Sequence, residues 1–242
     1  MAVYDGLAPY YDLILGDRTW SVARVLDQIG RFRPGARSLL ELGCGTGSVL
    51  VGLASVGERA GLDCSAEMLA LARAKLPGVR LLEGDMADFD LGERFEVVIC
   101  VLDTLNHLDD FPRWSQVFAR VRDHLVDGGL FLFDVIPPGP FRAVAAETPW
   151  TREFGGRTVT VDVTCSPEGR SVWDIAVEVP DGSGRIQQHS TVVELGVALD
   201  RVAAALAPYF EVLEQVDPDG DLPDDDSDRV YFACRPRPGE PA

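Results

Sequence analysis

Short apolar runs are separated by amphipathic segments over the first 136 residues of the chain. The runs do not alternate between polar and apolar positions, which is typical of strands that are buried on both faces of a parallel sheet. Five such runs are present: Arg37–Leu42, Arg59–Cys64, Val79–Glu83, Phe95–Leu102 and Leu130–Ile136. A helix between each pair of strands predicts an α/β fold with a doubly wound, mostly parallel sheet and right-handed crossovers.

The predicted helices have recognisable ends. The first 36 residues read as helix, with Leu13, Ile14, Val22, Val25, Leu26 and Ile29 on one face. Ser48–Val56 follows the first strand, and Ser65 is a typical N-cap for a helix over Ala66–Leu76. A further helix begins at Asp109 or Asp110 and runs to about Val126, where Gly128 and Gly129 are expected to stop it.

The periodicity changes after the proline-rich stretch that follows Ile136. Apolar and polar residues now alternate, which predicts an antiparallel meander of the strands Arg157–Cys165, Ser171–Val179 and Arg185–Leu195. A helix at Leu199–Leu206 and strands Glu211–Val216 and Arg229–Arg235 complete the chain. We therefore expect one domain from residues 1–148 and 197–242, with residues 149–196 as an inserted β subdomain. The insert is expected to cap an acceptor site or form a homodimer interface, with Trp173 and His189 near either.

Charge and cysteine content narrow the classes of partner. The chain has 22 basic and 39 acidic residues, a net charge of −17, which repels phosphate backbones and anionic lipid surfaces. We expect neither nucleic acid nor membrane as a partner. Lys75 is the only lysine, which we interpret as compositional bias. Five scattered cysteines without a C-x-x-C pair predict no disulfide framework and no metal site, and so a reducing cytoplasm. No apolar run reaches membrane-spanning length, and the N-terminus does not resemble a secretory signal.

The most informative stretch is the glycine-rich turn Gly43–Gly47, which joins the first strand to a helix. Glycines there let a ligand approach the backbone, and the helix N-terminus offers free N–H groups. Asp63 ends the second strand and Asp85 follows the third, at the sheet edge where ligands bind in open α/β folds. Each acid alone could be a helix cap, but the three elements in order favour a nucleoside-bearing ligand. Ser48 replaces the last glycine of the dinucleotide fingerprint, so a nicotinamide-dependent oxidoreductase is a weaker alternative.

These motifs resemble those of the class I S-adenosylmethionine-dependent methyltransferases. The matching stretches are Glu41–Gly47, Gly61–Leu69, Gly84–Met86 and Leu125–Leu130. The resemblance implies S-adenosyl-L-methionine as cofactor and a Rossmann-like, seven-stranded sheet with an antiparallel last strand. Val101–Leu108 and Tyr10–Asp12 are similar to a subgroup that acts on small molecules and carries a β-rich insert after the fifth strand.

The resemblance also implies roles for individual residues. Gly43 and Gly45 would lie against the methionine part, Asp63 would bind the ribose, and Asp85 with Met86 would meet the adenine edge. Tyr11 and Trp20 would close over the cofactor, although either could simply pack in the core. The complete implied cofactor site is Tyr11, Trp20, Gly43, Cys44, Gly45, Asp63, Cys64, Met68, Asp85, Met86 and Val101.

The expected reaction is in-line transfer of a methyl group to an N or O atom of a small metabolite. Positioning does most of the work in such a displacement, and a base is needed only if the nucleophile starts protonated. Asp103, Asn106 and His107 follow the fourth strand and are candidates for that base. The acceptor, the choice between N and O, and the oligomeric state stay open, as does a cofactor-binding protein without transfer activity.

Overall fold

The computed structural model describes residues 8–12, 16–180 and 185–238. The strands of these ranges are β1 Ser38–Leu42, β2 Glu58–Asp63, β3 Arg80–Glu83, β4 Phe95–Cys100, β5 Leu125–Val135, β6 Trp150–Phe154, β7 Arg157–Cys165, β8 Arg170–Pro180, β9 Arg185–Leu195, β10 Phe210–Val216 and β11 Val230–Pro236. The helices are α1 Thr19–Phe32, α2 Ser48–Gly52, α3 Ala66–Lys75, α4 Phe111–Asp123, α5 Pro138–Glu147 and α6 Leu199–Leu206. Short 3₁₀ turns cover Ala8–Tyr10, Ala54–Val56 and Thr104–His107.

Seven strands form the main sheet in the order β10-β11-β5-β4-β1-β2-β3. β1 to β5 pair in parallel, whereas β11 is antiparallel to both β5 and β10. The predicted fold, with its antiparallel last strand, is confirmed. The strand order reverses between β1 and β4, so a crevice opens at their carboxyl ends, where ligands of open α/β sheets bind.

Both faces of this sheet are buried, which explains why its strands lack polar alternation. On one face, Trp114 and Phe118 of α4 pack with strand residues such as Phe133. The other packs aliphatic residues such as Leu39 and Ile99 beneath α1, α2 and α3. Neighbouring residues of one strand therefore enter different halves of the core, and both must be apolar.

Two predicted helix limits are wrong. The first 36 residues do not form one helix, because residues 8–12 are helical but Gly16 is left-handed (φ +67°), and α1 spans only Thr19–Phe32; Leu13 and Ile14 lie outside the described residues. α4 ends at Asp123 and β5 already begins at Leu125. Gly128 and Gly129 lie within β5, at the point where its register with β4 shifts. They therefore belong to an irregularity of the strand and do not stop a helix. Among the described helices, none is long and apolar enough to cross a membrane.

The inserted sheet has one strand more than predicted. β6 precedes the meander, and the order is β6-β7-β8-β9, antiparallel throughout. Its apolar face, with Val159, Val161 and Val177, is covered by Val144 and Ala145 of α5. The sequence reading missed α5 because its prolines look like a break, yet proline is well tolerated in the first turn of a helix. The insert boundaries at residues 149–196 stay a prediction.

Candidate active site

The turn after β1 passes through three left-handed glycines, Gly43, Gly45 and Gly47. A Cβ atom on Gly43 would clash with Cγ2 of Thr104, so this glycine lets the loop after β4 approach. A Cβ atom on Gly45 would meet nothing closer than Cε1 of Tyr11, at 3.9 Å. Gly45 therefore faces open space, which is what a backbone that receives a ligand needs.

That open space is a cavity of about 230 Å³ at the carboxyl ends of the parallel strands. It brings together most of the predicted cofactor site, namely Tyr11, Gly43, Gly45, Asp63, Cys64, Met68, Asp85 and Met86, and it also includes His107. Cys44 and Val101 line a small adjoining cavity. Trp20 is not among the residues that line either cavity; it is 41 % exposed, and the guanidinium of Arg229 lies over its ring. The structure does not place Trp20 as a cofactor lid.

Asp63 holds two loops in place with one carboxylate. Its Oδ2 accepts the backbone N–H of Gly45 at 2.7 Å, and its Oδ1 accepts that of Ser65 at 2.8 Å. Burial raises the pKa of Asp63, and these backbone donors act in the opposite direction. Ser65 in turn accepts the N–H of Met68, which confirms it as the N-cap of α3. Asp85 lies at the next strand end, paired with Arg113.

The segment Tyr11–Asp12 lies over the glycine turn and is fixed there by polar contacts. Oδ1 of Asp12 accepts hydrogen bonds from the hydroxyls of Thr46 at 2.6 Å and Ser48 at 3.0 Å. Lys75 forms an ion pair with Asp12 and also donates to Thr46 at 2.8 Å. The only lysine of the chain therefore helps to hold this segment over the glycine turn.

Glu41 lies beneath the glycine turn and is a site residue that the sequence reading missed. It is buried, and its Oε2 has no hydrogen-bond partner within the described part of the chain. Burial raises its pKa well above the usual range, and the charge of Asp63 adds to the shift. Together with Gly43 and Gly45 it lines the small adjoining cavity. A buried carboxyl with a spare oxygen is suited to a cationic group of a ligand.

A second cavity of about 380 Å³ lies between the main domain and the insert. Tyr11 and Leu102 line both large cavities and so form the wall between them. The remaining lining is Arg18, Asp103, Ile136, Trp150, Arg152, Phe154, Val159, Val161, Trp173, Ile175, Val192, Glu194 and Arg229. Trp173 is among these residues, whereas His189 is exposed on β9 and is not. The sequence reading missed Arg18, Arg152, Glu194 and Arg229, since nothing in a single sequence shows which alternating residues face a cavity.

The turn between β4 and the 3₁₀ segment is strained. Leu102 and Asp103 are consecutive non-glycine residues with positive φ, 63° and 53°, which costs about 1–3 kcal/mol each. The buried carboxylate of Asp134 accepts both of their backbone N–H groups, at 2.8 and 2.7 Å. Arg229 pairs with Asp134 and donates to Asp103 at 2.8 Å. This network fixes the Asp103 carboxylate at the edge of the second cavity.

The three candidate bases differ sharply in their surroundings. Asn106 is fully buried, and its amide bonds the backbone of Ile136 and Leu195, which gives it a structural role. Burial lowers the pKa of His107, which favours the neutral imidazole at pH 7. Its Nε2 lies 3.6 Å from Oε1 of Glu194. Asp103, His107 and Glu194 could by distance hold a metal ion, but Arg229 already supplies a positive charge to Asp103, and we assign no metal.

Comparison with known proteins agrees with this geometry. A methyltransferase domain family matches residues 39–129. A dTDP-3-amino-3,4,6-trideoxy-alpha-D-glucopyranose N,N-dimethyltransferase of Streptomyces venezuelae is 32 % identical over 78 % of this chain and 77 % of its own length. A dTDP-3-amino-3,6-dideoxy-alpha-D-glucopyranose N,N-dimethyltransferase of Streptomyces fradiae is 37 % identical over 70 % of this chain and 69 % of its own.

Solved structures show the same architecture. A sugar N-methyltransferase from Streptoalloteichus superposes with a TM-score of 0.80 at 26 % identity, over 98 % of this chain and 94 % of its own. An amino pentose methyltransferase from Micromonospora echinaspora, solved with S-adenosylmethionine bound, gives 0.73 at 27 % identity over 97 % of both chains. The chain belongs to the class I S-adenosylmethionine-dependent methyltransferases. It is an enzyme of this class, and its cofactor is S-adenosyl-L-methionine.

The residues at the first cavity fit this cofactor. Gly45 has no side chain to fill the cavity, so a ligand can lie against its backbone. The carboxylate of Asp63 can accept further hydrogen bonds from ribose hydroxyls. Met68 lines the cavity and offers an apolar surface to the adenine. The unpartnered Oε2 of Glu41 suits the ammonium of the methionine part. Every residue that lines this cavity falls between Tyr11 and Arg113, so the insert contributes none of them.

Proposed function

We propose that this enzyme methylates the amino group of a nucleotide-linked amino sugar, with the acceptor in the second cavity. Two relatives that span most of the chain carry N,N-dimethyltransferase names for dTDP-amino sugars, and two structural neighbours are named as sugar methyltransferases. These names describe those proteins. The composition of the second cavity is what supports extending them to this chain.

The observation that carries the proposal is the mixture of groups in that cavity. The carboxyl groups of Asp103 and Glu194 suit an amine, because a positive nitrogen needs a paired charge when it leaves water. Arg18 and Arg152 suit the diphosphate of an activated sugar, which guanidinium groups bind well. A hydroxyl acceptor without phosphate would use neither feature. The same cavity is walled by Trp150 and Trp173, whose flat apolar rings suit sugar and base faces.

The two cavities meet at Tyr11 and Leu102, so an acceptor nitrogen and the cofactor can face each other there. S-adenosylmethionine supplies a methyl group on a sulfonium and leaves as S-adenosylhomocysteine. The chain aligns the acceptor with that methyl, and holding two reactants in line is worth about 7–11 kcal/mol at best. Burial raises the pKa of Tyr11, so its hydroxyl stays protonated and serves as a hydrogen-bond donor or as packing, not as a base.

The cofactor contacts follow from the first cavity. We assign Asp63 to the ribose hydroxyls, Asp85 and Met86 to the adenine edge, and Gly43 with Gly45 to the methionine part. Glu41 is added to this set for the ammonium group. Cys64 and Met68 line the same cavity and complete the nucleoside pocket.

The proposal is tested with a matched pair of acceptors. The enzyme is incubated with S-adenosylmethionine and dTDP-3-amino-3,6-dideoxy-alpha-D-glucopyranose, or with the analogue that carries a hydroxyl in place of the amine. Mass spectrometry should detect one or two added methyl groups on the amino sugar and none on the hydroxyl analogue. Methylation of the hydroxyl analogue at a comparable rate, or of neither compound, contradicts the proposed function.

A further inference from the structure

We propose that Asp103 and Glu194 act as a carboxyl pair that binds the acceptor's amino group and takes the proton that this amine must lose before methylation. The inference rests on the proposed function and adds to it the residues that handle the proton. Both carboxyl groups line the second cavity, and His107, whose Nε2 is 3.6 Å from Glu194, lines the first. The pair therefore lies where the two cavities meet.

The two acids come from parts of the chain that are far apart in sequence. Asp103 belongs to the strained turn after β4, which Asp134 and Arg229 hold in place. Glu194 is the penultimate residue of β9, in the insert. A buried glutamate in an otherwise alternating strand has no evident packing role. The insert thus contributes a chemical group to the acceptor site as well as a wall.

The surroundings favour one proton shared within the pair. Glu194 is buried, and its carboxyl lies within 4.8 Å of that of Asp103, so one proton on the pair relieves the repulsion between two adjacent negative charges. Burial raises the pKa of Glu194 to about 9, and the charge of Asp103 adds to the rise. Arg229 acts in the opposite direction, as does the indole N–H of Trp173. The titratable or charged groups around Glu194 are Asp103 from the turn after β4, His107 from the 3₁₀ segment, Arg229 before β11, and Tyr11, Arg18 and Arg152 in the same cavity.

An amine needs such a pair because its protonated form has no lone pair to attack with. At pH 7 an aliphatic amine is mostly an ammonium ion. When the ammonium binds, the shared proton of the pair leaves to solvent, and the two carboxylates face the cation. The ammonium then passes one proton to Glu194, and its nitrogen lone pair forms the N–C bond while the S–C bond breaks with its electrons left on sulfur. The methylated ammonium departs, and the pair keeps one proton, so the whole turnover releases one proton.

The test measures that proton directly. Enzyme saturated with S-adenosylhomocysteine is titrated at pH 7 with dTDP-3-amino-3,6-dideoxy-alpha-D-glucopyranose in two buffers of different ionisation enthalpy. The wild type should release about one proton per acceptor bound, because the acceptor's charge replaces the shared proton. Glu194→Gln should release none. Glu168→Gln, an exposed glutamate of the same insert, should behave as the wild type.

A kinetic readout separates proton transfer from a structural role. At pH 7 Glu194→Gln should methylate at least about tenfold more slowly than the wild type. At pH 9.5, where a far larger fraction of the acceptor is free amine in solution than at pH 7, the difference between the two rates should shrink. A variant that is merely misfolded would stay slow at both values.

The outcomes distinguish the two proposals. If the wild type methylates the amino sugar but releases no proton on acceptor binding, the carboxyl pair does not have this role and the proposed function stands. The same holds if Glu194→Gln transfers methyl groups at the wild-type rate at pH 7. If the wild type methylates no amine, the proposed function fails and this inference fails with it.

Discussion

The carboxylate of Asp63 joins the glycine turn to the N-terminus of α3, because its Oδ2 accepts the N–H of Gly45 at 2.7 Å and its Oδ1 that of Ser65 at 2.8 Å. Sequence alone left a helix cap and a ribose ligand as alternatives for this acid. Each carboxylate oxygen can accept two hydrogen bonds, so one side chain can do both. The backbone contacts fix the carboxylate before the cofactor arrives, and such pre-organisation lowers the cost of binding.

We expect Asp63→Asn to weaken binding of S-adenosylhomocysteine at least about tenfold, since a charge-assisted hydrogen bond contributes about 1.5–3 kcal/mol. Isothermal titration calorimetry measures the change. Asp88→Asn is the control, because Asp88 is an exposed acid of the loop after β3. Equal affinities for wild type and Asp63→Asn would show that the acid only shapes the loops.

Lys75→Met should speed the dissociation of S-adenosylhomocysteine severalfold and raise the KM for the cofactor. The reason is that Lys75 holds Asp12, and with it Tyr11, over the glycine turn. The pair is partly exposed, so the loss of fold stability should stay within about 1 kcal/mol. Stopped-flow fluorescence gives the rate. Arg73→Met, on the exposed side of the same helix, should leave it unchanged.

The main sheet was predictable from sequence because its parallel strands are short, mostly apolar segments without strict polar alternation. Most residues of the first cavity were predictable because they follow strand ends. The lining of the second cavity was not. Glu194 and Arg152 read as ordinary solvent-facing positions of alternating strands, and only the docking of the insert onto the loop after β4 buries Glu194. The sequence also could not show that Asn106, a polar residue beside a predicted site, is buried and donates hydrogen bonds to the backbone of Ile136 and Leu195.

Asn106→Ala should destabilise the fold by about 2–4 kcal/mol, because it leaves the buried N–H and C=O of Ile136 and the C=O of Leu195 without their partner. For a chain of this size that lowers Tm by about 5–15 °C. Asn106→Asp keeps an oxygen that can accept the N–H of Ile136 but loses the N–H groups that donate to the C=O groups of Ile136 and Leu195. It should also be less stable than the wild type. Thermal unfolding followed by circular dichroism tests both variants. An unchanged Tm for the alanine variant would rule out this structural role of Asn106.

Glu41 predicts how stability depends on pH. Its pKa is raised in the folded state, so the folded protein holds a proton that the unfolded chain loses above about pH 4.5. The contribution is therefore fully present at low pH and is lost as pH rises toward the folded-state pKa. Glu41→Gln cannot ionise, and its stability relative to wild type should grow with pH by up to about 1.4 kcal/mol per unit. Urea unfolding at pH 5, 7 and 9 measures this, with exposed Glu58→Gln as control. A constant difference across that range would mean that Glu41 titrates normally.

Arg152 tests whether the second cavity holds the anionic part of the acceptor. Its guanidinium lies over the ring of Trp150 at 4.8 Å, and both line that cavity, whereas neither lines the first. The residue is exposed, so its removal should not disturb folding. Arg152→Ala should raise the KM for dTDP-3-amino-3,6-dideoxy-alpha-D-glucopyranose about tenfold, with kcat nearly unchanged. This is the loss expected for one charge-assisted phosphate contact of about 1.5 kcal/mol.

The affinity of Arg152→Ala for S-adenosylhomocysteine should not change. The control is Arg94→Ala, a residue that lines neither of the two cavities and should alter neither constant. Because the substitution removes a positive charge, high salt should shrink the difference between wild type and variant. A KM that stays at the wild-type value would place the phosphates elsewhere, and an equal loss in cofactor affinity would show that the two cavities do not divide the ligands as proposed.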